Sequence, residues 1–326
     1  MMAVTDVLEK RPELTRIQLV GLLGGLLLAL SILPHVLDDF FAMNAIIFIF
    51  IFTIWGQGWN LLSGYGGQVS LGHAIFIGVG AYTTAILFLF YGVPPVIGIW
   101  IGGLVAAIVG LLIGLVSFKL RYHYFAMATL AFALIFRTVF ARWNWIGGSA
   151  GLEFPFDAYG SYLTLLFFSQ TPYYYLIGAG AIASTYLIYV IDRSKLGIYL
   201  QAIKMDQELA QNAGIPVFRY KMYAMGISAY LTGFGGGLYA LYIGFIDPFS
   251  TMELLRNVDP LIGPLVGGVG TVFGPVVGAI IMVPVLEYSR TYLSGQFTGL
   301  GWVVFGLVII LLAIYRPNGL LGKRRG

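Results

Sequence analysis

The sequence predicts an all-α polytopic membrane protein, one transmembrane domain over residues 1–326, and three observations carry that prediction. Hydrophobic residues make up 59% of the 326 and charged residues only 10%, against about 25% charged in an ordinary soluble domain. Glycine accounts for 44 residues, close to twice the usual share of about 7%, and small residues let membrane helices approach closely or break where a pathway needs exposed backbone. Apolar stretches recur along the chain near the roughly 20 residues that cross a bilayer as helix.

The first stretch, 17–36, follows a mixed-charge leader of Asp6, Glu9, Lys10, Arg11, Glu13 and Arg16. It is too long for a signal-peptide core and reads as a retained first span. Stretches at 42–62, 71–91, 96–118, 122–140, 173–191 and 221–245 come next, then 261–286 and 301–315. One crossing each would put the termini on opposite sides, although Lys10, Arg11 and Arg16 at one end and Lys323, Arg324 and Arg325 at the other are all basic, which the positive-inside rule opposes. Gly263, Pro264, Gly267, Gly268, Gly270, Gly274, Pro275 and Gly278 interrupt 261–286 repeatedly, so a broken, re-entrant hairpin is expected there. About ten passes then result, with both termini inside and the bases of 119–121, 193–221 and 316–325 on the same side. Asp38, Asp39, Glu153, Asp157, Asp247 and Glu253 fall outside. The divisions expected are N-terminal spans 17–191, a cytoplasmic loop 192–220, C-terminal spans 221–315 and a basic tail 316–326.

Two connections are long enough to do more than connect. The outer one, about 141–172, carries Trp143, Trp145, Gly147, Gly148, Glu153 and Asp157, and reads as a partner surface, as a flap over the exit of a pathway, or as an aromatic interfacial belt with a solvated loop. In the inner one, Ile198, Ala202, Met205, Leu209 and Ala213 recur every three or four residues, opposite Gln201, Lys204, Glu208 and Gln211, the pattern of one amphipathic helix over 198–213. Gly214 and Pro216 supply its stop. Such a helix lies on the bilayer or enters a groove on a partner. Its one base, Lys204, is balanced by Asp206 and Glu208.

The glycine-rich segments are the candidate pathway. Gly66, Gly67, Gln68, Ser70, Gly72 and His73 stand at the entry to a span, and backbone freed by adjacent glycines is tolerated at membrane depth only when buried in protein or lining a cavity. Helical N–H groups aimed at the middle of the membrane would suit a carboxylate or other polar substrate. The competing reading makes Gly66 and Gly67 a tight turn and His73 a hydrogen-bonded buried imidazole. A second glycine-rich segment, 267–279, lies in the other half of the chain, the layout of an inverted repeat.

Chemistry of other kinds finds little support. There is no G-x-x-x-x-G-K-[ST] loop, and His35, His73 and His123 lie in separate segments without metal-ligand spacing. Cysteine is absent and the net charge is +4, so neither a thiolate centre nor a nucleic-acid partner is expected. No enzyme and no cofactor bound by this chain is expected. An ion-coupled secondary transporter is the alternative of another class, but it needs ionisable groups within its spans, and Arg137, Glu287 and His73 are the few candidates.

Six strings carry a resemblance. NLLSGYGGQVSLGHAIFIGVGAY (60–82), YFAMATLAFALIF (124–136), IGGSAGL (146–152), MDQELAQNAGIP (205–216), GGVGTVFGPVVGA (267–279) and RPNGLLG (316–322), in that order, closely resemble the LivM-type permease of branched-chain amino-acid ABC importers. The loop string is similar to the cytoplasmic loop by which such permeases dock an ATPase, with Glu208, Ala210 and Gly214 at the matching positions, joined in this reading by Lys204 and Asp206. Leu209 displaces the second Ala of the usual pair.

The resemblance implies a bacterial cytoplasmic (inner) membrane location, in contact with membrane lipid. It implies a second permease subunit of LivH type, two ATPase subunits holding ATP and Mg, and a periplasmic substrate-binding protein. Leucine, isoleucine and valine are the family default, with urea, short amides and aromatic acids carried by relatives. The mechanism implied is alternating access, in which ATPase closure moves the loop helix and tilts spans beside Gly66, Gly67, Gln68, Ser70 and His73.

Overall fold

A computed structural model describes residues 39–120, 123–155, 158–160, 164–293, 303, 306–307, 310, 316 and 319–322. The expected first span at 17–36, Asp157, most of 301–315 and the terminal bases lie outside the described residues. Residues 1–43 and 44–326 form separate compact units, the first described only over 39–43, where the Asp39 carboxylate accepts the Phe41 N–H at 3.0 Å.

Helix α1, Phe40–Trp59, carries no charged residue and runs directly into a π-helical segment, Asn60–Tyr65. Together they make 26 residues, about 39 Å at 1.5 Å per residue, enough to cross a bilayer core of about 30 Å. A turn at 66–72 leads to α2, His73–Tyr91, which Gly92 ends in the left-handed conformation (φ 66°). Next come α3, Pro95–Ser117, begun by a proline at its first position, and α4, His123–Arg142. The outer connection contributes β1, Leu152–Glu153. Beyond it run α5, Gln170–Asp192; α6, Lys195–Met205; α7, Gln207–Asn212; and α8, Val217–Ile243. Strand β2, Phe245–Ile246, and short α9, Pro248–Thr251, precede α10, Asp259–Gly267, and α11, Gly274–Leu293.

Among the described residues, α1 with its π segment, α2, α3, α4 and α5 are long and apolar enough to cross a membrane. The all-α expectation needs one small amendment. Strands β1 and β2 pair antiparallel, Leu152 opposite Ile246 and Glu153 opposite Phe245, and tie the outer connection to the end of α8.

The core of the larger unit is the packing of α2, α3 and α8, and glycine makes it possible. A Cβ at Gly80 would overlap the Gly233 carbonyl, one at Gly236 the Ile77 carbonyl, and one at Gly102 would come within 2.7 Å of the Gly80 oxygen. Backbone therefore meets backbone, the arrangement in which dispersion contacts replace the missing hydrophobic drive between helices in lipid. Helix α4 fully buries only Phe125, Thr129 and Ala133, a single stripe at four-residue spacing flanked by half-buried residues.

The expected break at 261–286 is present. Helices α10 and α11 fold back on each other through Gly263, Gly267, Gly274 and Gly278, whose missing side chains leave room for facing carbonyls. The chain turns between them at Gly268 (φ 137°) and Gly270 (φ 78°).

Candidate functional site

Both glycine-rich segments meet, and side chains from α1 join them. Asn60 donates from Nδ2 to the Thr271 carbonyl at 2.8 Å and accepts the Gly270 N–H on Oδ1 at 2.7 Å. One turn earlier, Gln57 donates to the Val272 carbonyl at 2.9 Å and to Thr185 Oγ1 on α5 at 3.2 Å. The π segment makes room for this clamp, because a Cβ at Gly64 would overlap Asn60 Oδ1. Single-turn π segments occur often at functional sites.

The turn at 66–72 is held almost entirely by protein groups. Gly66 donates its N–H to the Leu61 carbonyl at 3.2 Å, and Gln68 donates its own to the Leu62 carbonyl at 3.2 Å. Ser63 Oγ donates to the Gln68 carbonyl and accepts the Ser70 N–H, while Trp59 Nε1 donates to the Ser70 carbonyl at 2.9 Å. The N–H groups of Leu71, Gly72 and Ala74 go to Thr129 Oγ1, Ser70 Oγ and Asn257 Oδ1. These amides are the ones expected to face a substrate in the middle of the membrane. In this conformation protein acceptors take them, and the turn lies at the end of a helix of spanning length. Gly66, Ser70 and His73 are buried, Gly67 and Gln68 half-buried, and Val69 forms the exposed tip.

His73 is fully buried at the first position of α2, with Nε2 3.0 Å from Ser228 Oγ on α8 and its ring edge-on to Phe76. His73 is thus held here as a buried, hydrogen-bonded imidazole.

The loop between α5 and α8 differs from expectation. It is two helices, not one over 198–213, because Asp206 adopts an extended conformation and caps α7, accepting the N–H groups of Glu208 at 2.8 Å and Leu209 at 3.0 Å. A carboxylate that close to free amides outcompetes the continuing helix. The end of α7 is a Schellman cap: Ile215 donates to the Ala210 carbonyl, Gly214 (φ 85°) to the Gln211 carbonyl. Ala210 packs with Ile203 and Val217, and Ile215 and Tyr220 close over them. The stripe read as the apolar face points outward: Met205 is 85% exposed, Leu209 66% and Ile198 55%.

Lys204 is exposed on α6, and its side chain also reaches back to the π segment. Its Nζ donates to the Gly64 carbonyl at 2.7 Å. Glu208 is exposed on α7. Lys221, 3% exposed, donates to Gln207 Oε1 at 2.6 Å beneath the Phe118 ring and anchors α7 to α8.

Two contacts had no signal strong enough to find them by sequence. Leu320 and Leu321 donate their N–H groups to the Val266 and Gly267 carbonyls at 2.9 and 2.8 Å, so the RPNGLLG string satisfies carbonyls left free at the end of α10. Arg256 and Asp259, 2.8 Å apart with Asp259 3% exposed, form a buried ion pair at the start of α10, and Arg256 also donates to Tyr239 Oη. Arg137, one of the few ionisable candidates within the spans, lies 5.2 Å from the centre of the Phe249 ring. In the outer connection Trp143 and Trp145 are exposed, and Trp145 stacks on Phe90 at 5.4 Å. Burial, with Glu153 second, raises the Tyr159 hydroxyl above its ordinary pKa.

Residues 41–313 match the family described as branched-chain amino acid transport system, permease component. The chain is 30% identical over 301 residues to the high-affinity branched-chain amino acid transport system permease protein LivM of Escherichia coli K12, covering 84% of this chain and 68% of that protein. It is 22% identical to the probable LivM permease protein of Methanocaldococcus jannaschii, over 81% of this chain and 88% of that one. The probable LivH permease protein of the same organism is 28% identical over 75% of this chain and 80% of its own length. No solved structure matches.

Proposed function

Because the chain belongs to the family of permease components of branched-chain amino acid transport systems, we propose that it imports branched-chain amino acids as one of two permeases in an inner-membrane ABC complex. The second permease is of LivH type, two ATPase subunits bind ATP and Mg beneath the pair, and a periplasmic protein delivers substrate. The chain itself is a transport subunit and not an enzyme.

The observation that carries this reading is the outward stripe of Ile198, Met205 and Leu209 on a loop whose other face holds the glycine-rich segments. A groove on an ATPase would cover that stripe, and ATP-driven closure would move α6 and α7 as a lever. Docking then falls to Asp206, Glu208, Ala210 and Gly214: Asp206 and Gly214 shape α7, Ala210 seats it, and Glu208 faces the partner. Gly66, Gly67, Gln68, Ser70 and His73 form the inner end of the substrate path, which opens when the turn at 66–72 shifts.

The topology belongs to the same proposal. About ten passes with both termini inside place the bases around α6 to α8 in the cytoplasm, and the two glycine-rich breaks sit in inverted halves of one repeat.

Uptake by membrane vesicles tests the reading. Labelled leucine should enter vesicles holding the full complex only when the binding protein and internal ATP are both supplied. Uptake that follows a proton or sodium gradient without ATP would return the chain to the ion-coupled class.

A further inference from the structure

We propose that Lys204 is the positioning residue that carries motion of the cytoplasmic loop into both glycine-rich segments at once. Three observations meet at this side chain. Its ammonium donates to the Gly64 carbonyl at 2.7 Å, near the end of a 26-residue helix, where the helix dipole favours positive charge. The backbone of Gly67 (φ 67°) lies so close that a Cβ there would stand 3.2 Å from the Lys204 Cα and Cβ and 3.1 Å from its Cγ. On the far side, a Cβ at Gly270 would stand 3.4 Å from Lys204 Nζ and 3.0 Å from the Gly64 oxygen. Asn60 bonds Gly270 and Thr271, so the π segment, the turn at 66–72 and the turn between α10 and α11 share one contact point on α6.

Position in the chain gives the contact its direction. Lys204 is the penultimate residue of α6, two residues before the break at Asp206. Exposed Met205 and Leu209 stand immediately beside and beyond it. A partner that presses on those residues moves Lys204 directly, and a charge-assisted bond to a carbonyl resists being left unmade. The displacement passes to Gly64 and, through Asn60, to the hairpin turn.

This inference rests on the ABC reading above, and its test separates the two. The complete complex, with ATPases and binding protein, is reconstituted with the wild-type chain, Lys204→Met and Lys204→Arg, and leucine taken up per ATP hydrolysed is measured. Lys204→Met should keep its ATPases and hydrolyse ATP within about twofold of wild type while the transport ratio falls at least tenfold. Lys204→Arg, which restores a cationic donor, should recover most of the ratio. Amide exchange in the complex should rise at 64–68 and 268–273 in Lys204→Met.

A Met variant that transports at the wild-type ratio overturns the proposal. So does one that sheds its ATPases, since Lys204 would then be a docking residue. If the Met variant does not accumulate, Lys204→Gln, polar but too short to reach the carbonyl, is judged by the same ratio. Failure of the wild-type chain to hold ATPases would instead overturn the function proposed above, and the exchange measurement would still decide whether Lys204 joins the segments.

Discussion

Asn60 Oδ1 accepts the N–H of Gly270 at 2.7 Å across 210 residues of sequence. The same side chain donates to Thr271, so one buried amide fixes the turn between α10 and α11 to the π segment that ends α1. Replacing it by Leu leaves the Gly270 N–H and the Thr271 carbonyl without this partner, and an unsatisfied buried group costs about 1–3 kcal/mol. Asn60→Leu should therefore lower the unfolding midpoint of the purified complex and speed exchange of the Gly270 amide. An unchanged exchange rate would mean that the turn is held by its own backbone.

The glycines between α2, α3 and α8 make a sharper prediction. Gly80→Ala places a methyl against the Gly233 carbonyl, and overpacking of this kind costs about 1–3 kcal/mol. Gly226→Ala meets only the flexible Leu111 side chain, at 3.3 Å, and should be neutral or slightly stabilising. Comparison of their yields and melting points in detergent checks this.

Arg256 and Asp259 should behave as a unit. Arg256→Met removes the ion-pair partner of a carboxylate that is 3% exposed, and breaking a buried pair costs about 3–5 kcal/mol. Removing both charges as Arg256→Met with Asp259→Leu should restore much of that stability. A double mutant as unstable as the single would show that Tyr239 and Ser250, the other partners of Arg256, matter more than the ion pair.

Much of this was legible in the sequence. Runs of some twenty apolar residues located every described spanning helix, and repeated Gly and Pro located the break between α10 and α11. The break at Asp206 was missed although its signal was present: a short acidic side chain three residues before Leu209, placed to cap a new helix. Hydrophobic periodicity passed over it, because the apolar residues on both sides keep helical spacing. The inward reach of Lys204 had no local signal at all, since its acceptor is a backbone carbonyl 140 residues away. The ion pair at Arg256 was overlooked for a related reason: acids and bases between spans look solvated until tertiary packing buries them.

Docking through α6 and α7 turns on Leu209. Its side chain is 66% exposed, while its backbone serves the fold, the N–H donating to Asp206 and the carbonyl accepting the Ala213 N–H, so Leu209→Asp should leave the permease folded while setting a charge where an ATPase groove would close. Mass spectrometry of complexes purified in mild detergent would count the retained ATPase subunits. Two ATPases and a second permease are expected with the wild-type chain, and loss of the ATPases but not of the second permease with Leu209→Asp. Full retention of both ATPases by the variant would contradict docking through α6 and α7.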